Sequence, residues 1–371
     1  MRRGGLPRDV VKGVEAVVDD VAERGLEAAL RYSEQFDGVK PSAPIVEPRA
    51  GGDPAVVKAA LEAAESLRLV YERLVPPDAV DYYGGFMRLI YWRPVDRAAL
   101  YVPARYISTL VMLAVPASLA GVREIYVVTP PRGVTGELLA VAKELGVKGV
   151  LQIGGPHGLA YAVFHIGVDV VAGPGGLYVQ AGKYVLSQYV GVDGIEGPTE
   201  LVVYAEGVAP EVAAKGALAQ LEHGPTSFAH VLSPDEELLR AVEEIYRRER
   251  TSSMGPLHVK KVAGVEEAAR IVDEIAPEHL EVWGRRELAF MVKNVGAVSI
   301  NAPSPYLDYV AGICHVLPTG GTARWRGPVT PLNFLKPIGV AEAVGAVDPA
   351  LAEAARVLAK YEGFQRHFEA I

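Results

Sequence analysis

Residues 199–225 read TELVVYAEGVAPEVAAKGALAQLEHGP, and the fold follows from how that stretch is parsed. Its first seven residues are a β-type run of branched and aromatic side chains. From Pro210 to Glu222, Ala, Val and Leu recur at helical spacing, and Gly224-Pro225 stops the helix. The same strand-then-helix unit recurs on both sides. Upstream, EIYVVTP (124–130), GVLQIG (149–154) and VDVVAGPGG (169–176) precede helices expected at 136–145, 157–166 and 177–189. Downstream, AHVLS (229–233), HVKKV (258–262) and AVSINA (297–302) alternate with helices expected at 235–249 and 265–275. Such alternation, with nearly continuous apolar strands, predicts parallel sheets covered on both faces. Two blocks predict an α/β chain with two doubly wound, incomplete Rossmann-like sheets. Ligands are then expected at the carboxyl ends of the strands.

Outside these blocks, residues 9–35 carry one amphipathic stripe and predict a single helix, 41–52 a loop, and 54–74 a second helix closed by Pro76-Pro77. LIYWRP and AALYVP read as short strands. Glycine and proline crowd 303–339, which predicts a long functional loop. A last helix spans about 349–361, ahead of a short tail. The expected division is one discontinuous domain of residues 1–98 and 202–332, a second of 99–201, and a small helical tail of 333–371.

Composition narrows the function classes. The 371 residues carry a formal net charge of −8, which argues against a broad nucleic-acid surface. Half of the chain is apolar and 22% charged, a globular balance. Cys314 is the only cysteine, so neither an intramolecular disulfide nor a thiolate zinc cluster can form, and a reducing cytoplasm is expected. The N-terminus lacks an apolar signal region, and no apolar run approaches the roughly 18–20 residues of a membrane span.

Four places gather reactive side chains. Gln220 and His223 are three apart and share a helix face. A neutral imidazole suits a transition metal, whereas a glutamine oxygen is a weak ligand needing stronger partners. A lone helical His is more often a hydrogen-bonded structural residue, so the rest of the chain must supply the other ligands. Adjacent Glu278 and His279 suit two linked proton transfers; the plain alternative is a capping turn. Asp308 offers a hard oxygen ligand, and His315 precedes a Pro-Gly-rich turn that can present it to a cleft. Glu362 and His367, with Phe364 and Phe368, make the C-terminal tail a candidate for docking onto a second subunit. The loop Gly173-Pro174-Gly175-Gly176 follows a strand and opens a helix, a place for an anion. It is not G-x-G-x-x-G, and no acid sits where one would hold a ribose.

In combination, QLEHGP (220–225), APEHLE (276–281), DYVAGICHVLPTGGTAR (308–324) and EGFQRH (362–367) resemble the zinc and catalytic motifs of the histidinol dehydrogenase family. ALYVP, VAGPGG and GIEGPTELVVYA resemble its middle region. The resemblance runs from about residue 10 to the end and implies oxidation of L-histidinol to L-histidine through histidinaldehyde, the last steps of histidine biosynthesis, with two NAD and a bound zinc. It implies Gln220, His223, Asp308 and His367 as zinc ligands, His279 as general base, and Glu278 as the group that activates water. It implies that Thr199, His315 and Glu362 join Gln220, His223, His279, Asp308 and His367 around the substrate. Tyr101, His157 and Gly176 fall at the cofactor positions. An intertwined homodimer with shared active sites is implied, Glu362 and His367 crossing to the partner.

The chain departs from the family's pattern on the cofactor side. Two glycines usual after YVP are Ala104-Arg105 here, an Ala-Gln pair is Pro156-His157, GPGN ends in Gly176, and GPSE becomes GPTE at Thr199. Tyr306 stands near a position the family fills with Glu. The alternatives are therefore a zinc- and NAD-dependent relative acting on a different amino alcohol, and a zinc-binding homologue that is not a dehydrogenase.

Overall fold

The computed structural model describes residues 5–195 and 199–371, so Gly197 and Pro198 of the turn before Thr199 lie outside the described residues. By compactness the chain divides into two units, Met1–Leu74 with Val95–Phe334, and Val75–Pro94 with Leu335–Ile371.

Both expected sheets lie in the larger unit. The first runs Ile45–Val46, Gly149–Leu151, Glu124–Val128, Arg97–Tyr101, Val170–Ala172, Gly191–Val192, parallel throughout except for its first edge strand. The second runs Leu257–Lys261, Phe228–Ser233, Glu200–Ala205, His279–Trp283, Ala297–Ile300, all parallel. In each, winding starts at a central strand, proceeds outward on one side, then crosses to the other. The reversal falls between Arg97–Tyr101 and Val170–Ala172 in the first sheet, and between Glu200–Ala205 and His279–Trp283 in the second. All six residues of Glu200–Ala205 are buried, as the continuous apolar run requires of a strand covered on both faces.

The amino-terminal region differs from its sequence reading. The single helix expected over 9–35 is two, Arg8–Arg24 and Leu26–Asp37. They break at Gly25, whose φ of 58° and ψ of −133° leave the helical region. A Cβ at Gly25 would sit 3.1 Å from the His165 ring. Val14, Val18, Val21, Ala28 and Ala29 join the core of the first sheet, with Val128, Leu151 and Val171. Residues 8–37 therefore pack with the first sheet, not with residues 202–332 as expected. A stripe fixes that a helix is buried, not against which sheet.

Helix Ile107–Ala120 was not expected, because Thr109–Ala117 is buried all round and shows no polar face. The stretch 303–339, expected as a loop, holds helix Ser304–Tyr309 and opens into strand Leu335–Ala343. That strand pairs antiparallel with Phe86–Pro94, which pairs with Ala79–Tyr83, and the three form the sheet of the smaller unit. Pro337 is tolerated because its strand is an edge. Helices Pro349–Tyr361 and Gln365–Ala370 complete that unit. No described helix is long and apolar enough to cross a membrane.

Candidate active site

Most of the motif residues meet at the amino ends of the second sheet, opposite to the carboxyl ends where ligands were expected. Strands Glu200–Ala205 and His279–Trp283 are neighbours, with His279 across from Leu201, so Thr199-Glu200 and Glu278-His279 lie side by side. The Glu200 backbone N–H donates to Glu278 Oε2 at 3.2 Å. Helix Pro210–Leu221 returns the chain to this edge and ends by delivering Gln220 and His223. Helix Ser304–Tyr309 returns likewise from strand Ala297–Ile300, bringing Asp308. Two returning helices thus place candidate site residues on the reverse edge.

His279, 4% exposed, holds the centre. Its Nε2 lies 3.4 Å from Asp308 Oδ1 and 3.9 Å from Glu278 Oε1, while its Nδ1 has no hydrogen-bond partner. Burial drives the imidazole down to about 3, helped by the nearby rings of His315 and His223. Burial also pushes Asp308 up to about 7, with the Glu281 carboxylate adding repulsion. For this pair desolvation dominates, and the His279 ring is neutral.

Two further imidazoles have their tautomers set by carbonyl acceptors. His315 Nδ1 meets Asp308 O at 2.7 Å, and His223 Nδ1 meets Gln220 O at 3.2 Å. A carbonyl only accepts, so in each ring Nδ1 carries the proton and Nε2 keeps its lone pair. The His315 Nε2 faces Thr109 Oγ1 at 3.4 Å. His223 is exposed and Gln220 is 2% exposed, its amide nitrogen without a partner. Among the described residues no three His, Cys, Asp or Glu converge as a preformed metal cage.

Two buried carboxylates here went unnoticed in the sequence. Glu281 is fully buried and accepts from Ser304 N–H at 2.6 Å and Trp283 Nε1 at 3.2 Å. Glu200 accepts from Gly320 N–H at 3.0 Å and is pushed up to about 7 by burial. The available signal was a lone acid within an apolar strand, in HLEVW and in ELVVYA.

The remaining predicted residues lie elsewhere. Glu362 caps helix Pro349–Tyr361 and His367 sits in helix Gln365–Ala370, both exposed in the smaller unit, with Phe364 5.1 Å from the His367 ring. Tyr101, His157 and Gly176 stand at the carboxyl ends of the first sheet. Tyr101 ends its strand, and its hydroxyl is bonded by the backbone of Gly155. His157 is buried with both ring nitrogens unpartnered, is lowered to about 4 by burial, and lies 3.9 Å from Asp37 Oδ2. Gly176 caps helix Leu177–Leu186 on open space. At the winding reversal, Gly173 has φ 128°, and a Cβ there would come within 2.2 Å of Tyr101 O.

Two doubly wound sheets, with Glu278 and His279 paired at one and Gly173 and Gly176 at the carboxyl ends of the other, have the architecture on which nicotinamide-dependent dehydrogenases are built. The histidinol dehydrogenase family model matches residues 2–371. A histidinol dehydrogenase of Pyrobaculum aerophilum is 74% identical over 367 residues, covering 99% of each chain. One from Saccharolobus solfataricus is 38% identical over 382 residues, covering 98% of this chain and 95% of its own. The crystal structure of histidinol dehydrogenase from Elizabethkingia anophelis matches in fold with a TM-score of 0.86 at 23% identity, over 99% of this chain and 92% of that one. The chain belongs to the histidinol dehydrogenase family, whose reaction is the oxidation of histidinol to histidine.

Proposed function

We propose that the amino edge of the second sheet is the catalytic centre of this oxidation, with zinc held there and NAD bound at the carboxyl ends of the first sheet. The convergence of Glu278 and His279 with Gln220, His223, Asp308 and His315 carries the reading. The donors fit a zinc ion: Asp308 Oδ1 is buried without a hydrogen-bond partner, His223 presents a bare Nε2, and the buried Gln220 amide would offer its oxygen. His367 supplies a further imidazole in this reading, reaching the site of a second subunit. The exposed Tyr361, Phe364 and Phe368 beside it support a docking role in a homodimer.

Zinc bound by these residues would supply an orienting template for the substrate imidazole and amine, and NAD would supply the hydride acceptor for the carbinol carbon. His279, neutral, takes the hydroxyl proton on Nε2. Glu278 takes a proton from water as that water adds to the aldehyde-level carbonyl. His279 returns its proton to the carbonyl oxygen as the water adds, and takes a hydroxyl proton from the resulting hydrate in the second oxidation, which leaves the carboxylate. Burial of this pair excludes bulk water from the aldehyde stage. Thr199 and His315 line the substrate's side, and Tyr101, His157 and Gly176 face the cofactor.

The test is NADH formation from L-histidinol with and without a chelator. Two NADH per histidinol, lost on chelation and restored by zinc, is expected. A single NADH, or full turnover in metal-free protein, overturns the reading.

A further inference from the structure

The cofactor side holds two cations that the catalytic reading does not use. Arg105 and Arg132 line, with Ala104, a cleft of about 290 Å³ at the carboxyl ends of the first sheet. Arg105 lies in the turn after strand Arg97–Tyr101, and Arg132 in the turn after strand Glu124–Val128. Both turns are closed by backbone bonds, from Tyr106 N–H to Pro103 O at 3.1 Å and from Gly133 N–H to Pro130 O at 2.7 Å. They also touch each other: a Cβ on Gly133 would sit 3.2 Å from the Ala104 Cα.

Arg105 occupies its turn with φ 72°, in the left-handed region that glycine adopts freely and other residues rarely. A non-glycine residue held there is a strained position, and such positions cluster at ligand sites. Neither guanidinium makes a side-chain hydrogen bond or ion pair among the described residues. Asp37 is the acid that Arg132 acts on, drawing its carboxyl back down against the upward push of burial. The cleft lies at the carboxyl ends of the neighbouring strands Arg97–Tyr101 and Glu124–Val128, the former also bordering the winding reversal, and carboxyl ends are where α/β sheets take nucleotides.

We infer that Arg105 and Arg132 form a phosphate-recognition pair, which grips a phosphate group of the dinucleotide through charge-assisted hydrogen bonds. This rests on the reading that the first sheet's crevice takes the cofactor. The two turns hold both backbones at one cleft, so two cations line it without a glycine-rich fingerprint.

The test is calorimetric titration of the full-length protein with NAD, ADP, 2′-AMP and adenosine. The variants are Arg105→Gly with Arg132→Ala, and Arg105→Lys with Arg132→Lys. Glycine suits φ 72°, so the first variant folds, and its circular dichroism melt checks this. Its ADP and NAD dissociation constants are expected to rise about tenfold or more, with adenosine unchanged and the lysine variant intermediate. Loss of ADP binding identifies the pyrophosphate as the gripped group, and loss of 2′-AMP binding alone identifies a 2′-phosphate. Unchanged affinity for both, or equal weakening of adenosine, overturns the inference. If the unaltered protein binds ADP in an arginine-dependent way but not NAD, the cofactor reading fails while the pair stands. If NAD, ADP and 2′-AMP each bind equally to all three proteins, the pair fails while the cofactor reading stands.

Discussion

Glu281 accepts the backbone N–H of Ser304 at 2.6 Å, and so ties the strand that begins at His279 to the helix that carries Asp308. The same carboxylate abuts helix Pro210–Leu221, where a Cβ on Gly216 would fall 2.3 Å from Oε2. One buried acid thus joins three elements that each bring a candidate site residue.

Glu281→Ala leaves the buried Ser304 N–H and the half-buried Trp283 indole N–H without their acceptor. The expected cost is about 3 kcal/mol of stability, read by urea denaturation. Because the Asp308 helix loses its anchor, zinc retention should fall as well. Intact stability with intact metal content would refute the anchoring role.

Gly216→Ala tests the contact from the other side. Alanine is intrinsically the better helix former by about 1 kcal/mol. Here the added methyl meets a carboxylate held by Ser304 and Trp283, so a net loss of about 1–2 kcal/mol is expected. A rise in Tm would show that Glu281 has room to move.

Glu200 titrates higher folded than unfolded, at about 7 against 4.5. The folded state therefore holds this proton more tightly. Its contribution is fully present below the unfolded value and is lost as pH rises through about 7, a swing on the order of 3 kcal/mol. Glu200→Gln removes the charge that must be buried at high pH. The variant should gain Tm relative to the unaltered protein between pH 5 and pH 8; parallel curves would contradict this.

Lys183 and Asp193 form an ion pair at 2.6 Å, their side chains 1% and 0% exposed. They also clamp Gly173 from both sides: Lys183 Nζ donates to its carbonyl, and Asp193 Oδ2 accepts its N–H, each at 2.9 Å. Lys183→Met leaves a buried carboxylate uncompensated, at an expected cost of about 3–5 kcal/mol. Chemical denaturation measures it, and a loss under 1 kcal/mol would mean that the pair is solvated.

Glu278→Gln keeps the shape of the site but removes the carboxylate proposed to take a proton from water. The aldehyde-to-acid half-reaction should lose about a hundredfold or more, and the alcohol-to-aldehyde half-reaction less. Equal losses in pre-steady-state NADH traces would assign Glu278 to both steps.

The sequence by itself determined the two alternating blocks, the helix end at Gly224-Pro225, and the identity of the motif residues. These are local properties: strand and helix periods, and glycines or prolines that break them, act within one element. It could not determine which edge of the second sheet bears the site. Helices Pro210–Leu221 and Ser304–Tyr309 run back along the sheet, and that return alone carries Gln220, His223 and Asp308 to His279. Nor could it reveal Glu281 and Glu200, since a lone acid in an apolar run gains meaning only when an N–H from a distant loop meets it. The amphipathic stripe of residues 8–37 was legible, yet its partner was not, because burial is non-directional and any apolar face satisfies it. The pairing of Arg105 with Arg132 likewise exists only in the folded chain, where a left-handed turn rests on Gly133 and sets two cations from separate strands at one cleft.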